Sequence, residues 1–186
     1  MNESQEAALV RRCQARDKEA FRMLVEQYRS LLFGTAYLMI RDRGLAEDAV
    51  QEALIQIWKH LPSFRFKSSI KTWLVRIIVN EVKQQLRKKQ VPTVPLEQVT
   101  EMADDSTGAE TAMVHDEERQ QLKQALEKLP SEQRESLVLR YFSELTVPEI
   151  ATVTGQREGT IKSRLSRGLE RLRIILRNDR TGEEGR

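Results

Sequence analysis

The most informative stretch of this chain lies in its last third, Thr146-Val-Pro-Glu-Ile-Ala-Thr-Val-Thr-Gly155-Gln-Arg-Glu-Gly159-Thr-Ile-Lys-Ser-Arg-Leu-Ser-Arg-Gly-Leu-Glu-Arg-Leu-Arg173. This pattern is typical of a helix-turn-helix. Ala151 offers a small side chain where two helices must approach closely. Gly155, four residues later, suits the left-handed backbone that ends a first helix. The sequence therefore predicts two helices joined by a tight turn.

The second helix of this pair has two contrasting faces. At about 100° per residue, its apolar side chains fall within roughly 80° of arc. Arginine-rich amphipathic helices are often only solvated surface helices, but a glycine turn at a fixed distance from the apolar stripe is more specific. We therefore expect the other face to enter the major groove of duplex DNA. The apolar stripe is Ile161, Leu165, Leu169, Leu172 and Leu176, and the polar face is Thr160, Arg164, Arg167 and Arg171.

The composition is that of a soluble, charge-rich helical protein. Of 186 residues, 39% are hydrophobic, 32% are charged and only 5% are aromatic. With 8 glycines and 5 prolines the chain has few turn residues, which favours an all-α fold. No apolar run is long enough to span a membrane or to act as a secretory leader. The single Cys13 favours a reducing compartment and a packing role, so we expect a cytoplasmic protein.

Charge is distributed in three blocks. Residues 1–90 hold 17 Lys and Arg against 10 Asp and Glu, a net of +7. Residues 91–118 hold none against 8, a net of −8, and residues 119–186 hold 14 against 10, a net of +4. Basic blocks suit a polyanionic partner, and the acidic block should stay off it.

The acidic block also contains two prolines and the run Asp104-Asp-Ser-Thr-Gly108, and no sustained helical stripe. We interpret residues 91–118 as a flexible linker between an N-terminal domain, 1–90, and a C-terminal domain, 119–186. In the free protein this acidic linker is expected to draw the two basic domains together and mask them.

Both domains are predicted to be helical. Asp17 is a plausible N-cap for a first long helix. A second helix follows Gly44, has Val50, Leu54, Ile57 and Leu61 on its apolar side, and ends before Pro62. Further helices are predicted from Ser68 or Ser69 with Ile70, Trp73, Leu74, Ile77 and Ile78 inward, and near Glu117–Leu129, Ser131–Phe142, Val147–Thr154 and Glu158–Arg177.

The sequence gives little support to catalysis. It has no phosphate-binding loop of the Gly-x-x-x-x-Gly-Lys-Ser/Thr type, no Gly-x-Gly-x-x-Gly and no nucleophile elbow. His60, His115 and Cys13 do not make a zinc site. We expect no enzymatic activity, no cofactor and no metal.

Residues 64–89 combine aromatic side chains with basic side chains. Arg76, Asn80, Lys83 and Arg87 recur at i, i+4, i+7 and i+11, which is one face of a helix. Such a face can follow a nucleic-acid backbone, and the aromatics just before it can stack on unpaired bases. The alternative is that Phe64 and Trp73 belong to the core and the bases face solvent. We assign Trp73 to the core, since it lies on the apolar stripe, and Asn80 to function.

The preceding helix has a face of opposite sign. Glu47, Asp48, Gln51 and Glu52 lie opposite Val50 and Leu54. An acidic face is a poor contact for nucleic acid and a plausible contact for a protein. On spacing alone, a solvated face is an equal alternative.

Several segments carry a family resemblance. They are Ala46-Glu-Asp-Ala-Val-Gln51-Glu-Ala-Leu, Phe64-Arg with Thr72-Trp-Leu-Val-Arg-Ile-Ile-Val-Asn80, Leu129-Pro-Ser-Glu-Gln-Arg-Glu with Leu139-Arg-Tyr-Phe, and Glu149-Ile-Ala with Gly159-Thr-Ile-Lys-Ser-Arg-Leu-Ser-Arg-Gly. In this order they resemble a bacterial sigma factor of the extracytoplasmic-function (ECF) group of the sigma-70 family. The resemblance covers almost the whole chain outside the linker.

The resemblance implies regions two and four of that family and a role in promoter-specific transcription initiation. It implies that Asp48, Gln51 and Glu52 dock the clamp coiled coil of core RNA polymerase. It implies that the C-terminal domain also touches the polymerase flap. The −10 element would be read by Phe64, Arg65, Lys67, Arg76, Asn80, Lys83 and Arg87, and the −35 element by Arg157, Thr160, Lys162, Ser163, Arg164, Arg167 and Arg171. The group is often held inactive by an anti-sigma protein, and these residues leave open whether this member is.

Two other functions compete with this one. An autonomous helix-turn-helix regulator with an N-terminal sensing domain would need neither the acidic face nor the aromatic–basic segment. A purely structural helical adaptor would not explain the face formed by Arg164, Arg167 and Arg171.

Overall fold

A computed structural model describes residues 3–90 and 120–183, and every secondary-structure element within these ranges is helical. The all-α prediction is confirmed, while the predicted linker lies outside the described residues. The N-terminal helices are α1 Glu3–Gln14, α2 Lys18–Ile40, α3 Arg43–His60 and α4 Ile70–Gln90, with a 3-10 turn Leu61–Ser63 after α3. The C-terminal helices are α5 over residues 120–127, α6 Ser131–Leu137, α7 Val147–Thr154 and α8 Glu158–Glu183, with a π-helical turn Val138–Phe142 after α6.

Aspartates begin two of the N-terminal helices. Asp17 accepts hydrogen bonds from the backbone N–H groups of Glu19 and Ala20, both at 3.0 Å, and is the predicted N-cap of α2. Asp42 caps α3 in the same way through the N–H of Leu45 at 3.0 Å. Helix α3 therefore begins at Arg43, slightly before the predicted start after Gly44, because the aspartate satisfies its free N–H groups.

The core of the N-terminal helices forms where α2, α3 and α4 pack against one another in pairs. Helix α3 contributes Ala46, Ala49, Ala53 and Ile57 to this core, and each is essentially fully buried. The predicted inward residues Val50 and Leu54 are only half-buried. Because alanine is small, α3 packs closely against its neighbours along this face. The larger Val50 and Leu54 therefore lie at the edge of the core.

Helix α4 is buried on two sides. The predicted inward residues Ile70, Leu74 and Ile78 are buried, while Trp73 and Ile77 are half-buried. A second group, Val75, Val79 and Val82, is also fully buried. The second buried side arises because α4 packs against α7 as well as against α2 and α3.

The helix-turn-helix is formed by α7 and α8. Gly155 has φ 70°, and its N–H donates to the carbonyl of Ala151, so the glycine ends α7 in the left-handed conformation as predicted. Ile150 and Ile161 are fully buried between the two helices, and Leu165 is 9% exposed.

One predicted helix is modified. Ser131–Phe142 begins as α6 but ends in the π-helical turn, after which Glu144 has a left-handed φ of 54°. The hydroxyl of the buried Ser143 lies 3.0 Å from that of Thr35 on α2. This contact with α2 could not be read from the local sequence.

Candidate nucleic-acid and protein interfaces

The predicted basic face of α4 is accessible over most of its length. Arg76, Asn80 and Arg87 are exposed, and Arg87 donates to the backbone carbonyl of Lys83 at 3.1 Å. Lys83 is half-buried, and its ammonium lies 2.8 Å from the carboxylate of Glu135 on α6. The structure therefore brings the four residues onto one helix face but engages one of them with the C-terminal helices.

The loop before α4, residues 64–69, presents a different aromatic ring from the one predicted. Phe64 is 7% exposed and packs its ring 5.3 Å from that of Trp73 and 4.9 Å from that of Phe66. Phe66 is 45% exposed and has a left-handed φ of 55°. Arg65 and Lys67 on either side of it are exposed as expected. The exposed ring was missed because the sequence offers two phenylalanines two residues apart and only packing decides between them.

The acidic face of α3 is a mixed surface. Asp48, Gln51 and Glu52 are all exposed on this face. Ile55, three residues after Glu52, is 46% exposed on the same side of the helix. Burial and the nearby charge of Glu52 raise the pKa of Glu81 on α4. The charge pattern alone did not indicate this exposed isoleucine among the acidic side chains.

Helix α8, the second helix of the helix-turn-helix, begins with a hydrogen-bonded turn. The N–H groups of Thr160 and Ile161 donate to the carbonyl of Arg157 at 2.9 and 3.1 Å. Arg157, Lys162, Arg167 and Arg171 are exposed, whereas Thr160, Ser163 and Arg164 are half-buried. The Lys162 ammonium lies 4.0 Å from the Glu158 carboxylate, a loose pair that DNA phosphates could displace.

Polar side chains join the N-terminal and C-terminal helices. The Thr72 hydroxyl on α4 donates to a carboxylate oxygen of Glu149 on α7 at 2.6 Å. The Lys71 ammonium lies 3.1 Å from the carboxylate of Glu144. Burial acts to raise the pKa of Glu149, but hydrogen bonds from Thr72 and Thr146 outweigh it, and the pKa lies below its ordinary value.

These contacts lie next to the basic face of α4. At about 100° per residue, the side carrying Thr72, Val75, Val79, Val82 and Lys83 spans roughly 100° of arc. The face carrying Arg76, Asn80, Lys83 and Arg87 covers about 60° beside it. Lys83 is the shared boundary, so the C-terminal helices cover the edge of the basic face and leave the rest open.

Metal-binding clusters and membrane-spanning helices are absent from the described ranges. Among residues 3–90 and 120–183, no group of three or more His, Cys, Asp or Glu side chains could hold a metal ion. None of the helices in the described part of the chain has the length and hydropathy needed to cross a bilayer. Cys13 is buried, and burial raises the pKa of its thiol.

Comparison with known families gives two matches along the chain. Residues 24–91 match sigma-70 region 2, and residues 119–172 match sigma-70 region 4. The chain is 34% identical over 182 residues to the ECF RNA polymerase sigma factor SigM of Mycobacterium tuberculosis, which covers 97% of this chain and 89% of SigM. It is 32% identical over 171 residues to the ECF RNA polymerase sigma factor SigW of Bacillus subtilis, covering 87% of this chain and 91% of SigW.

Solved structures share the fold of this chain. The sigma factor RpoE from Bartonella quintana, solved with the anti-sigma factor NepR, is 30% identical with a TM-score of 0.67, over 84% of this chain and 96% of that chain. CnrH, solved with the cytosolic domain of CnrY, has a TM-score of 0.69 at 22% identity, over 94% and 98% of the two chains, and shows the shared fold. Matches to both regions, in the predicted order and over most of the chain, establish that this protein belongs to the ECF RNA polymerase sigma factors.

Proposed function

We propose that this sigma factor gives core RNA polymerase its promoter specificity through residues 1–90 and 119–186, with residues 91–118 as the connection. The observation that carries the proposal is a pair of surfaces of opposite charge on two adjacent helices, α3 and α4. Helix α3 exposes an acidic face that includes Ile55, and α4 exposes a face of basic side chains and the amide of Asn80. A surface for a protein and a surface for nucleic acid side by side suit a subunit that links polymerase to DNA.

Core binding is assigned to the acidic face of α3. Its carboxylates would steer the protein toward a basic surface, and Ile55 would give the contact an apolar centre. The partner that we assign to this face is the clamp coiled coil of core polymerase. The C-terminal helices would also contact the polymerase flap.

The −10 element is assigned to the loop 64–69 and to α4. Phe66 offers a ring to an unpaired base, and Arg65 and Lys67 offer charges to the flanking phosphates. Asn80 has the donor and acceptor needed to recognise a base edge, and Arg76 and Arg87 lie on its face. Lys83 would join them once it leaves Glu135. Phe64 would act from the core by supporting this loop.

The −35 element is assigned to α8 in the major groove. Residues near the start of the recognition helix, Arg157, Thr160, Lys162, Ser163 and Arg164, would reach base edges and nearby phosphates. Arg167 and Arg171, further along, would contact the backbone. The exposed arginines make the binding salt-dependent.

Regulation and location follow from the same family. The Bartonella relative was solved with an anti-sigma factor, and we extend that class of partner to this chain. Sigma factors are not enzymes, so the proposed function includes no reaction of its own. The site of action would be the bacterial cytoplasm, where core polymerase and promoter DNA are found.

Charge reversal on α3 tests the proposal. Asp48→Lys combined with Glu52→Lys should abolish core association in a pull-down while helicity by circular dichroism is unchanged, because both side chains are exposed. A control with the same net charge is Glu19→Lys combined with Glu26→Lys, which changes two exposed carboxylates on α2, a helix outside the assigned surfaces. Equal retention of core polymerase by the two double variants would refute the assignment.

A further inference from the structure

Helix α1 holds the loop that carries the exposed phenylalanine. This helix, Glu3–Gln14, precedes the residues that match sigma-70 region 2, which begin at residue 24. It packs against α2 and against the 3-10 turn Leu61–Ser63 at the start of the loop. A helix outside the matched region therefore touches the turn that leads into the segment assigned to the −10 element.

Gln14 makes the central contact. Its side-chain amide nitrogen lies 2.7 Å from the carbonyl oxygen of Phe64 and 3.3 Å from that of Leu61. The amide has two hydrogens, so one half-buried side chain can satisfy both carbonyls at once. The two acceptors stand on either side of the turn, and Gln14 thereby fixes the direction in which the chain leaves it.

Arg11 reaches further along the same loop. Its guanidinium carbon lies 5.9 Å from the centre of the Phe66 ring, within cation–π distance. Arg11 and Gln14 are three residues apart and so share one face of α1. Together they contact the backbone before the exposed ring and the ring itself.

The backbone of Phe66 explains why such support is needed. A φ of 55° is unfavourable for a bulky L-residue and persists only where the surroundings determine it. Within the loop, Phe64 is anchored in the core and the backbone turns at Phe66 to direct its ring outward. The contacts that Gln14 and Arg11 make from α1 are positioned to stabilise this conformation.

The neighbouring turn strengthens the base of the loop. Arg16, just after α1, donates to the carbonyl oxygen of Trp58 at 2.8 Å, and its guanidinium carbon lies 5.1 Å from the centre of the Trp58 ring. The end of α3 and the loop that follows are thus both held from the α1–α2 junction.

We propose that Gln14, assisted by Arg11, is a positioning residue that holds Phe66 ready for an unpaired base of the −10 strand. The inference rests on the proposed role of the loop 64–69 in reading that strand. Gln14 touches no DNA in this account and acts through the backbone of the loop. Removal of its hydrogen bonds should leave core binding intact and allow Phe66 to leave its left-handed conformation.

The test uses full-length protein reconstituted with core polymerase. Gln14→Met keeps the length of the side chain and removes the donors. We expect it to reduce open-complex formation about tenfold and to flatten the preference for one −10 base, as Phe66→Ala should do. The double variant should lose little more than either single variant, since both act on the same ring. Gln27→Met, an exposed position on α2, is the matched control and should behave as wild type.

The outcomes of this double-mutant cycle distinguish the positioning role of Gln14 from the role of the loop. Fully additive losses, or a Gln14→Met variant with unchanged base preference beside an altered Phe66→Ala, would overturn the positioning role while the role of the loop stands. Unchanged promoter preference in both single variants would overturn the role of the loop as well. Should Gln14→Met fail to fold in thermal melting, the cycle of Arg11→Gln with Phe66→Ala takes its place, because Arg11 is exposed. Coupling between those two supports the proposal, and additivity contradicts it.

Discussion

Glu149 takes part in two structures at once. One carboxylate oxygen accepts hydrogen bonds from the N–H of Thr146 at 2.8 Å and from its hydroxyl at 2.7 Å, in the capping box that begins α7. The other oxygen accepts from Thr72 at 2.6 Å, near the start of α4. Thr72 in turn donates its N–H to Ser69, which caps α4. The first turns of the helix assigned to the −10 element and of the helix-turn-helix are thus linked through one carboxylate.

We predict that Glu149→Ala lowers the free energy of unfolding by about 1–2 kcal/mol at neutral pH, the cost of a lost cap. Because the folded-state pKa of Glu149 lies below its ordinary value of 4.5, this contribution is fully present above 4.5. It is lost as pH falls through the lowered folded-state pKa. Denaturant unfolding should therefore give curves for wild type and variant that converge in acid. A gap of constant size from neutral pH to acid would show that the charged carboxylate is not responsible.

Helices marked by local signals were predicted closely. The bounds Val147–Thr154 agree with the structure because Thr146, Pro148 and Gly155 determine both ends of α7 within the chain itself. Helix α3 was placed less well, since its buried face is chosen by how closely alanines can pack and not by the larger Val50 and Leu54. The π-helical turn was not predicted, because it packs against α2, which is distant in sequence, and local helix propensity does not depend on that contact.

The residues of the candidate surfaces also differ in whether local sequence predicts them. Bases on α4 and acids on α3 are periodic in the sequence, so their faces could be predicted from spacing alone. Phe66, Ile55 and Gln14 could not, because each depends on which neighbouring side chains occupy the core. The functional assignments of all these residues stay predictions for the variants proposed above.

Across the whole molecule, the two sets of helices share a contact that would compete with the DNA contacts proposed for α4. Two lysines of α4 form ion pairs with the C-terminal part of the chain, Lys71 with Glu144 between the π-helical turn and α7, and Lys83 with Glu135 on α6. Arg41 donates to the carbonyl oxygen of Glu127 at 3.1 Å. Lys83 cannot serve Glu135 and a phosphate together, so reading of both promoter elements should require this contact to open.

A wedge at Gly34 tests the contact. A Cβ added there would lie 2.2 Å from the Cζ atom of Phe142, so either that ring or the whole interface must move. We expect Gly34→Ala to raise the radius of gyration of the free protein in small-angle X-ray scattering and to strengthen its binding to DNA. Stability of α2 itself should not suffer, since alanine favours helix by about 1 kcal/mol over glycine.

The control for the wedge is Gly44→Ala on α3. There an added Cβ would have Asp42 Oδ1 as its nearest neighbour, at an ordinary 3.6 Å. Scattering curves from the two variants that cannot be told apart would mean that Phe142 simply swings aside. The interface would then accommodate the added methyl group, and the expected opening of the free protein would be contradicted.

This chain selects promoters as a subunit of RNA polymerase and not as an independent DNA-binding protein. A footprint tests this on promoter duplexes that the reconstituted holoenzyme has selected from a random library, with the chain alone, core polymerase alone and both together. We predict sequence-selective protection of both promoter elements, with permanganate-reactive thymines near the upstream end of the melted region, only when both are present. Equally selective protection by the chain alone, with core polymerase adding neither specificity nor strand opening, would contradict the account and favour an autonomous helix-turn-helix regulator.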